Sequence, residues 1–176
     1  MITHLFYSTP TKPLSYKDLH GVDAKVKWPN DVWVAKRKMS GILVNCDGRD
    51  GGVVGFGINV NQDMSKADPA VAAVATSLAG EVGHEVSREE VLAGVCNEIE
   101  RMMKLPLRAV MAEYKTFDML VGTVVRVHHK SREESSKDDY DAEVLGYAED
   151  GMLKVRNTVT KMDKYLSGEE ISISPK

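Results

Sequence analysis

The residues whose types and spacing suit chemistry lie in Lys25–Asn45, KVKWPNDVWVAKRKMSGILVN. Lys27, Asn30, Asp31 and Lys38 fall there, between short runs rich in strand-forming residues. Asn30 and Asp31 occupy a turn-to-strand junction, where a rigid sheet can aim polar groups at a ligand. Gly41, in mid-strand, marks a place where another backbone or a ligand comes close. An ammonium and a carboxylate presented by one β-turn-β unit could act on a shared polar substrate.

The elements that must position these groups are legible nearby. Val32–Val34 and Met39–Val44 are β-rich and flank the polar turn Ala35-Lys36-Arg37, a hairpin signal. Pro29 lacks a backbone donor and biases Trp28 toward extended backbone, so the ladder should begin after it. Period 2 then predicts Lys38, Ser40, Ile42 and Val44 on one face, with Met39, Gly41 and Leu43 on the other. Asn45–Gly52 is a turn cluster, and Val53–Asn61 is expected as a third strand of an antiparallel meander. Its glycines lower strand propensity and call for a local reason. Met1–Gly21 is irregular, an extended lead-in with a short strand near Leu5–Tyr7.

Downstream, Val71, Val74, Ala75 and Leu78 give Pro69–Gly80 a short helical stripe. Ser87 and Glu90 form a capping box before Val91, Leu92, Val95, Ile99, Met102 and Met103, which recur at helical spacing. Pro106 can open a last helix to about Thr116, with Val110, Met111 and Tyr114 on one side. The character then changes. Strands are expected at Thr123–His128, Asp141–Tyr147, Met152–Val155, Lys161–Tyr165 and Glu170–Ser174, with His129–Asp139 a solvated loop. Five short strands in about 60 residues suggest a small SH3-like barrel. The division is therefore set at 1–116 and 117–176. A barrel of that size is marginal alone and should dock on the preceding domain.

Composition narrows the function classes. Apolar residues make up 43% and charged residues 28%, with a net charge of −3, which is ordinary globular usage. The mild acidity argues against a nucleic-acid partner. No apolar run approaches the ~18–20 residues of a membrane span, and the N-terminal stretch lacks the apolar core of a secretion signal. Cys46 and Cys96 make no disulfide framework, which favours a reducing, cytoplasmic setting. The histidines show no ligand spacing, so a zinc site is not supported.

The run Lys27-Trp28-Pro29-Asn30-Asp31, followed by Arg37-Lys38-Met39-Ser40-Gly41-Ile42-Leu43, resembles the central motif of biotin protein ligases: KWPND, a short turn, then RKLAGIL. The segment Gly57-Ile58-Asn59-Val60-Asn61 is similar to the family's nucleotide-site strand, Ala75-Thr76-Ser77-Leu78 to the entry of its next helix, and Leu166–Ser172 to its closing C-terminal strand. The resemblance implies an α+β fold: a class II aminoacyl-tRNA-synthetase-like catalytic domain, then the SH3-like barrel. It also implies the activity. Biotin's carboxylate is joined to the α-phosphate of ATP with Mg²⁺, and the acyl group then passes to a lysine of a biotin carboxyl carrier domain. Lys38 matches the catalytic lysine and Asp31 the carboxylate that orients or deprotonates the acceptor amine. Lys27, Trp28, Asn30, Ser40, Gly41, Gly57 and Asn59 fall at substrate- and nucleotide-binding positions, with Asn59 a possible Mg²⁺ contact.

One expected part has no match. The family's Gly/Arg-rich biotin loop, of the type G-R-G-R-x-G-R, lies well upstream of KWPND, and none of the 26 residues before Lys27 resembles it. Gly48-Arg49-Asp50-Gly51-Gly52 reads as a meander turn instead. The expectation is a catalytic domain incomplete at its N-terminus, with impaired ligase activity. The alternatives are a non-catalytic ligase-like binding protein and, through the shared fold, a lipoate ligase. Half a catalytic sheet would open an apolar edge, which predicts a homodimer.

Overall fold

The computed structural model describes residues 22–46, 51–129, 139–168 and 171–175. The lead-in Met1–Gly21, most of the Gly48–Gly52 turn and the body of the His129–Asp139 loop lie outside the described residues. Two compact units emerge, one of residues up to Val26 with Asn30–Pro106, the other of Lys27–Pro29 with Leu107–Lys176. The division at Pro106 assigns the last helix to the second unit, whereas the sequence reading drew it after residue 116.

In the first unit, β1 (Ala24–Lys27), β2 (Asp31–Val34), β3 (Arg37–Cys46) and β4 (Gly52–Ile58) form a sheet in that order. β3 pairs antiparallel with both β2 and β4, so the predicted meander is present. Ala35 (φ 46°) and Lys36 (φ 65°) make the β2–β3 turn in left-handed backbone. Two consecutive positive φ values give the twist that joins adjacent strands with a two-residue loop. Val32 and Val34 turn inward from β2 and pack with Met39, Ile42, Leu78, Val91 and Val95 in one core.

The predicted alternation in β3 fails at Met39. Asp31 pairs with Gly41 and Val32 with Ser40, but Trp33 pairs with Lys38, so Met39 has no partner on β2. This is a β-bulge: one extra residue resets the side-chain phase. Lys38 therefore shares a face with Gly41 and Asp31 rather than with Ser40 and Ile42, while Met39 enters the core at 1% exposure.

The stripe over Pro69–Gly80 is not one helix. It is split into α1 (Pro69–Ala72), opened by the Asp68 carboxylate, and α2 (Leu78–Val82), opened by the Ser77 hydroxyl. Between them Ala75 makes a parallel bridge to Lys38, and a residue in a ladder cannot also be helical. α3 (Arg88–Met103) starts where the capping box predicted, with Ser87 Oγ accepting from the Glu90 N–H at 3.1 Å. Val91, Val95 and Met102 face inward, whereas Leu92 and Met103 lie in solvent. The buried stripe is one residue wide, and those two sit beside it.

In the second unit, α4 (Leu107–Phe117) buries Val110, Met111 and Tyr114. β5 (Val124–His129), β6 (Tyr140–Tyr147), β7 (Leu153–Asn157), β8 (Asp163–Leu166) and β9 (Ile171–Pro175) form an antiparallel sheet ordered β8-β7-β6-β5-β9. All five strands are where alternation placed them. Among the described residues no ladder joins β8 to β9, so the sheet is open rather than the closed barrel expected. Its core holds Val125, Val127, Val144, Leu153 and Val155 together with Trp28, whose indole N–H donates to Gly151 O at 3.2 Å. Asp118 ties α4 to the sheet by accepting from the Leu120 and Val121 N–H groups and from the Tyr147 hydroxyl.

Candidate functional site

The site is built on the bulged hairpin of the first unit. Lys38 Nζ lies 2.6 Å from Asp31 Oδ1, so the two groups singled out from the sequence form one ion pair. The Asp31 carboxylate is mostly enclosed, whereas the Lys38 side chain is about half exposed and its ammonium remains reachable. Gly41 makes the pair possible: a Cβ there would fall 2.9 Å from Lys38 Nζ and 3.4 Å from Asp31 Oδ1. The close approach expected at this glycine is made by the protein's own charged pair.

A cleft of about 420 Å³ opens beside the pair, lined by Lys38, Ser40, Gly41, Gly57, Asn59 and Ala75 among others. Its size falls within the roughly 300–1,000 Å³ of small-molecule sites. At Gly57 an added Cβ would meet nothing within 4 Å, so open space lies above this strand residue. Ser40 is 2% exposed, and its hydroxyl has no hydrogen-bond partner among the described residues. A buried hydroxyl without a partner is unfavourable, and a polar ligand atom would relieve it.

Two predicted residues have structural duties. Asn30 Nδ2 donates to Ile42 O at 2.6 Å while its own carbonyl accepts from the Ile42 N–H at 3.0 Å. It therefore pins the start of β2 to β3. Asn59 Nδ2 donates to Thr76 O at 3.1 Å, and its N–H donates to Met39 O at 3.0 Å, satisfying a carbonyl at the bulge. Lys27 ends β1, and Trp28 is a core residue of the second unit.

A metal fits poorly as a protein-built centre. Mg²⁺ takes oxygen ligands in near-octahedral array, held by one or two carboxylates plus substrate phosphates. No group of three His, Cys, Asp or Glu residues converges among the described residues, and the Asp31 carboxylate is already on Lys38.

Sequence reasoning missed the residues around Lys38. Arg37, read as a turn charge, reaches Glu81 Oε1 at 2.8 Å from Nη2. Thr76 donates to the same oxygen, and its N–H donates to the Lys38 carbonyl at 2.9 Å. No local pattern ties Arg37 to a carboxylate 44 positions away.

Residues 1–63 match the biotin/lipoate A/B protein ligase family, a span that contains the whole bulged hairpin. Over this stretch the chain is similar to biotin protein ligases. It is 33% identical over 76 residues to the bifunctional ligase/repressor BirA of Bacillus subtilis, covering 41% of this chain and 23% of that protein. Against the biotin–[acetyl-CoA-carboxylase] ligase of Paracoccus denitrificans the identity is 40% over 73 residues, covering 38% and 30%. These matches take in less than a third of either relative. Its mixed α/β fold matches the apo biotin protein ligase of Aquifex aeolicus with a TM-score of 0.77 at 23% identity, covering 92% of this chain and 69% of that one. The same ligase in complex with biotin and ATP gives 0.75 at 24% identity, covering 92% and 66%. Among the described residues, no helix is long and apolar enough to cross a membrane.

Proposed function

We propose that this chain carries the ammonium–carboxylate centre of a biotin–protein ligase, working in the cytoplasm on biotin, ATP and a carboxylase's biotin carboxyl carrier domain. The observation that supports it most is the Lys38–Asp31 pair at 2.6 Å beside a ligand-sized cleft. In the first step a biotin carboxylate oxygen attacks the α-phosphorus of ATP and pyrophosphate leaves. The Lys38 ammonium draws the two anions together and balances charge on the α-phosphoryl oxygens. In the second, a carrier lysine attacks the acyl carbon, AMP leaves, and the amine's proton passes toward Asp31. A free lysine amine has a pKa of about 10.4, so a carboxylate that holds and deprotonates it assists directly. Asp31 already binds one ammonium, which makes exchange for a second geometrically simple. Ser40, Gly41 and Gly57 shape the nucleotide side of the cleft, Asn59 braces it, and Lys27 and Trp28 complete the family motif. Mg²⁺ would enter on the ATP phosphates, where it shields their charge. The second unit's open sheet serves as the SH3-like module.

The 176 residues contain no Gly/Arg-rich biotin loop, so this polypeptide alone should bind adenylate but label a carrier poorly. Calorimetry with biotin, ATP and biotinyl-AMP, followed by carrier labelling, tests this. Adenylate binding that weakens in Lys38→Ala, with residual labelling lowered roughly 10²–10³-fold, is expected. Equal binding and labelling in Lys38→Ala would remove the reading.

The far end of β3–β4 supports self-association through a second copy. Leu43 and Val53 are 62% and 71% exposed there, and β4 is an edge among the described strands. Apolar edge strands recruit further strands. Sedimentation showing only monomer at micromolar concentration would dispose of the dimer.

A further inference from the structure

The bulge at Met39 interrupts the β2–β3 ladder beside Lys38, and the backbone carrying this residue needs another support. Lys38 donates its N–H to Val74 O at 2.8 Å and accepts from the Thr76 N–H at 2.9 Å. The Thr76 hydroxyl donates to Glu81 Oε1, which also accepts from Arg37 Nη2 at 2.8 Å. Arg37 is the covalent neighbour of Lys38, so these contacts close a ring. Every member lies in the first unit.

We propose that Glu81, together with Arg37 and Thr76, is a positioning group for Lys38. It fixes the bulged backbone so that the ammonium stays on Asp31 and above Gly41. This rests on reading Lys38 as the working cation of the ligase site. Thr76 is 2% exposed and Glu81 is mostly enclosed, so water does not readily take the carboxylate's place as acceptor when it is removed. Charge-assisted bonds to one carboxylate oxygen are short and directional, which suits a brace. An ion pair that merely anchored α2 to the sheet would change stability and leave the Lys38 ammonium where it is.

Competitive acetylation of the full chain with acetic anhydride, read peptide by peptide, separates these cases. Lys104, an exposed lysine paired with Glu100, serves as internal standard. An ammonium held by a carboxylate is a poor nucleophile, so releasing Lys38 should raise its labelling. Glu81→Ala and Thr76→Val should raise the Lys38-to-Lys104 ratio roughly three- to thirtyfold, the span of couplings through packed networks. Glu81→Gln keeps an acceptor for both donors and should stay close to the parent. Arg37→Ala removes a half-exposed side chain without opening the core, so it decides the matter where the other variants unfold. An unchanged or lowered ratio in folded Arg37→Ala and Glu81→Ala overturns the proposal. So does a rise in Glu81→Gln equal to that in Glu81→Ala. Failure of the parent to bind biotinyl-AMP would instead defeat the ligase reading, and it leaves the labelling ratio untouched.

Discussion

Gly41→Ala is the sharpest test of the site, because it adds one methyl and removes no polar group. The new carbon would stand 2.9 Å from Lys38 Nζ, 3.0 Å from Lys38 Cε and 3.4 Å from Asp31 Oδ1. Comfortable separations to carbon are about 3.5–4.0 Å, so the ammonium must withdraw by roughly half an ångström or more. The atoms that give way are the end of a flexible side chain, and alanine is favoured over glycine inside a strand by roughly 0.5–1 kcal/mol. The half-exposed ion pair that loosens contributes about 1 kcal/mol at most, so the two effects nearly cancel in stability. Function has no such compensation. A misplacement of about 1 Å in a catalytic array lowers rates by up to ~10²-fold, and the expected loss of adenylate formation is roughly ten- to a hundredfold. Pyrophosphate release from ATP and biotin, measured beside a urea melt, reads both quantities on one preparation. A variant as active as the parent would refute the claim that Gly41 exists to seat the Lys38–Asp31 pair. A stability loss above about 3 kcal/mol would show that the glycine serves the backbone instead.

Two further outcomes are expected. Lys36→Gly should stabilise the first unit by roughly 0.5–1 kcal/mol, because an L side chain at φ 65° is disfavoured by about that much or more. A higher urea midpoint with unchanged slope checks it, and a lower midpoint would contradict the left-handed turn. The second unit should lose stability in alkali. Burial and the neighbouring Asp118 carboxylate hold the Tyr147 phenol well above its ordinary range, and burial raises Tyr114 as well. The folded state thus favours neutral phenols, whose contribution is full below the unfolded pKa of about 10 and is lost as pH climbs past it. Thermal melts should fall beyond about pH 10 in the parent and fall less steeply in Tyr147→Phe, despite that variant's lower starting point.

Much of this was legible in the sequence, for local reasons. The hairpin, the third strand, the capped helix from Arg88 and the five strands after Val121 all follow from periodicity and turn residues acting over a few positions. The Lys38–Asp31 partnership was legible through the motif that carries both. What escaped was non-local. Period 2 cannot foresee the extra residue at Met39, because the bulge is held by Val74, Thr76 and Asn59 from segments far along the chain. The same bridge broke the stripe between Pro69 and Gly80, where tertiary pairing overrode helical spacing. The core around Trp28 escaped too, because it is built from residues more than ninety positions later, which no window around it contains.

That placement of Trp28 bears on how the polypeptide is made. Its indole meets Gly151 across 123 residues, so the side chain leaves the ribosome long before its pocket exists. At about 5–20 residues per second the wait is on the order of ten seconds. Through that interval Trp28 and Pro29 wait between Lys27, the last residue of β1, and Asn30, which pins the start of β2. A product cut at Pro106 would leave the second unit's core without Trp28.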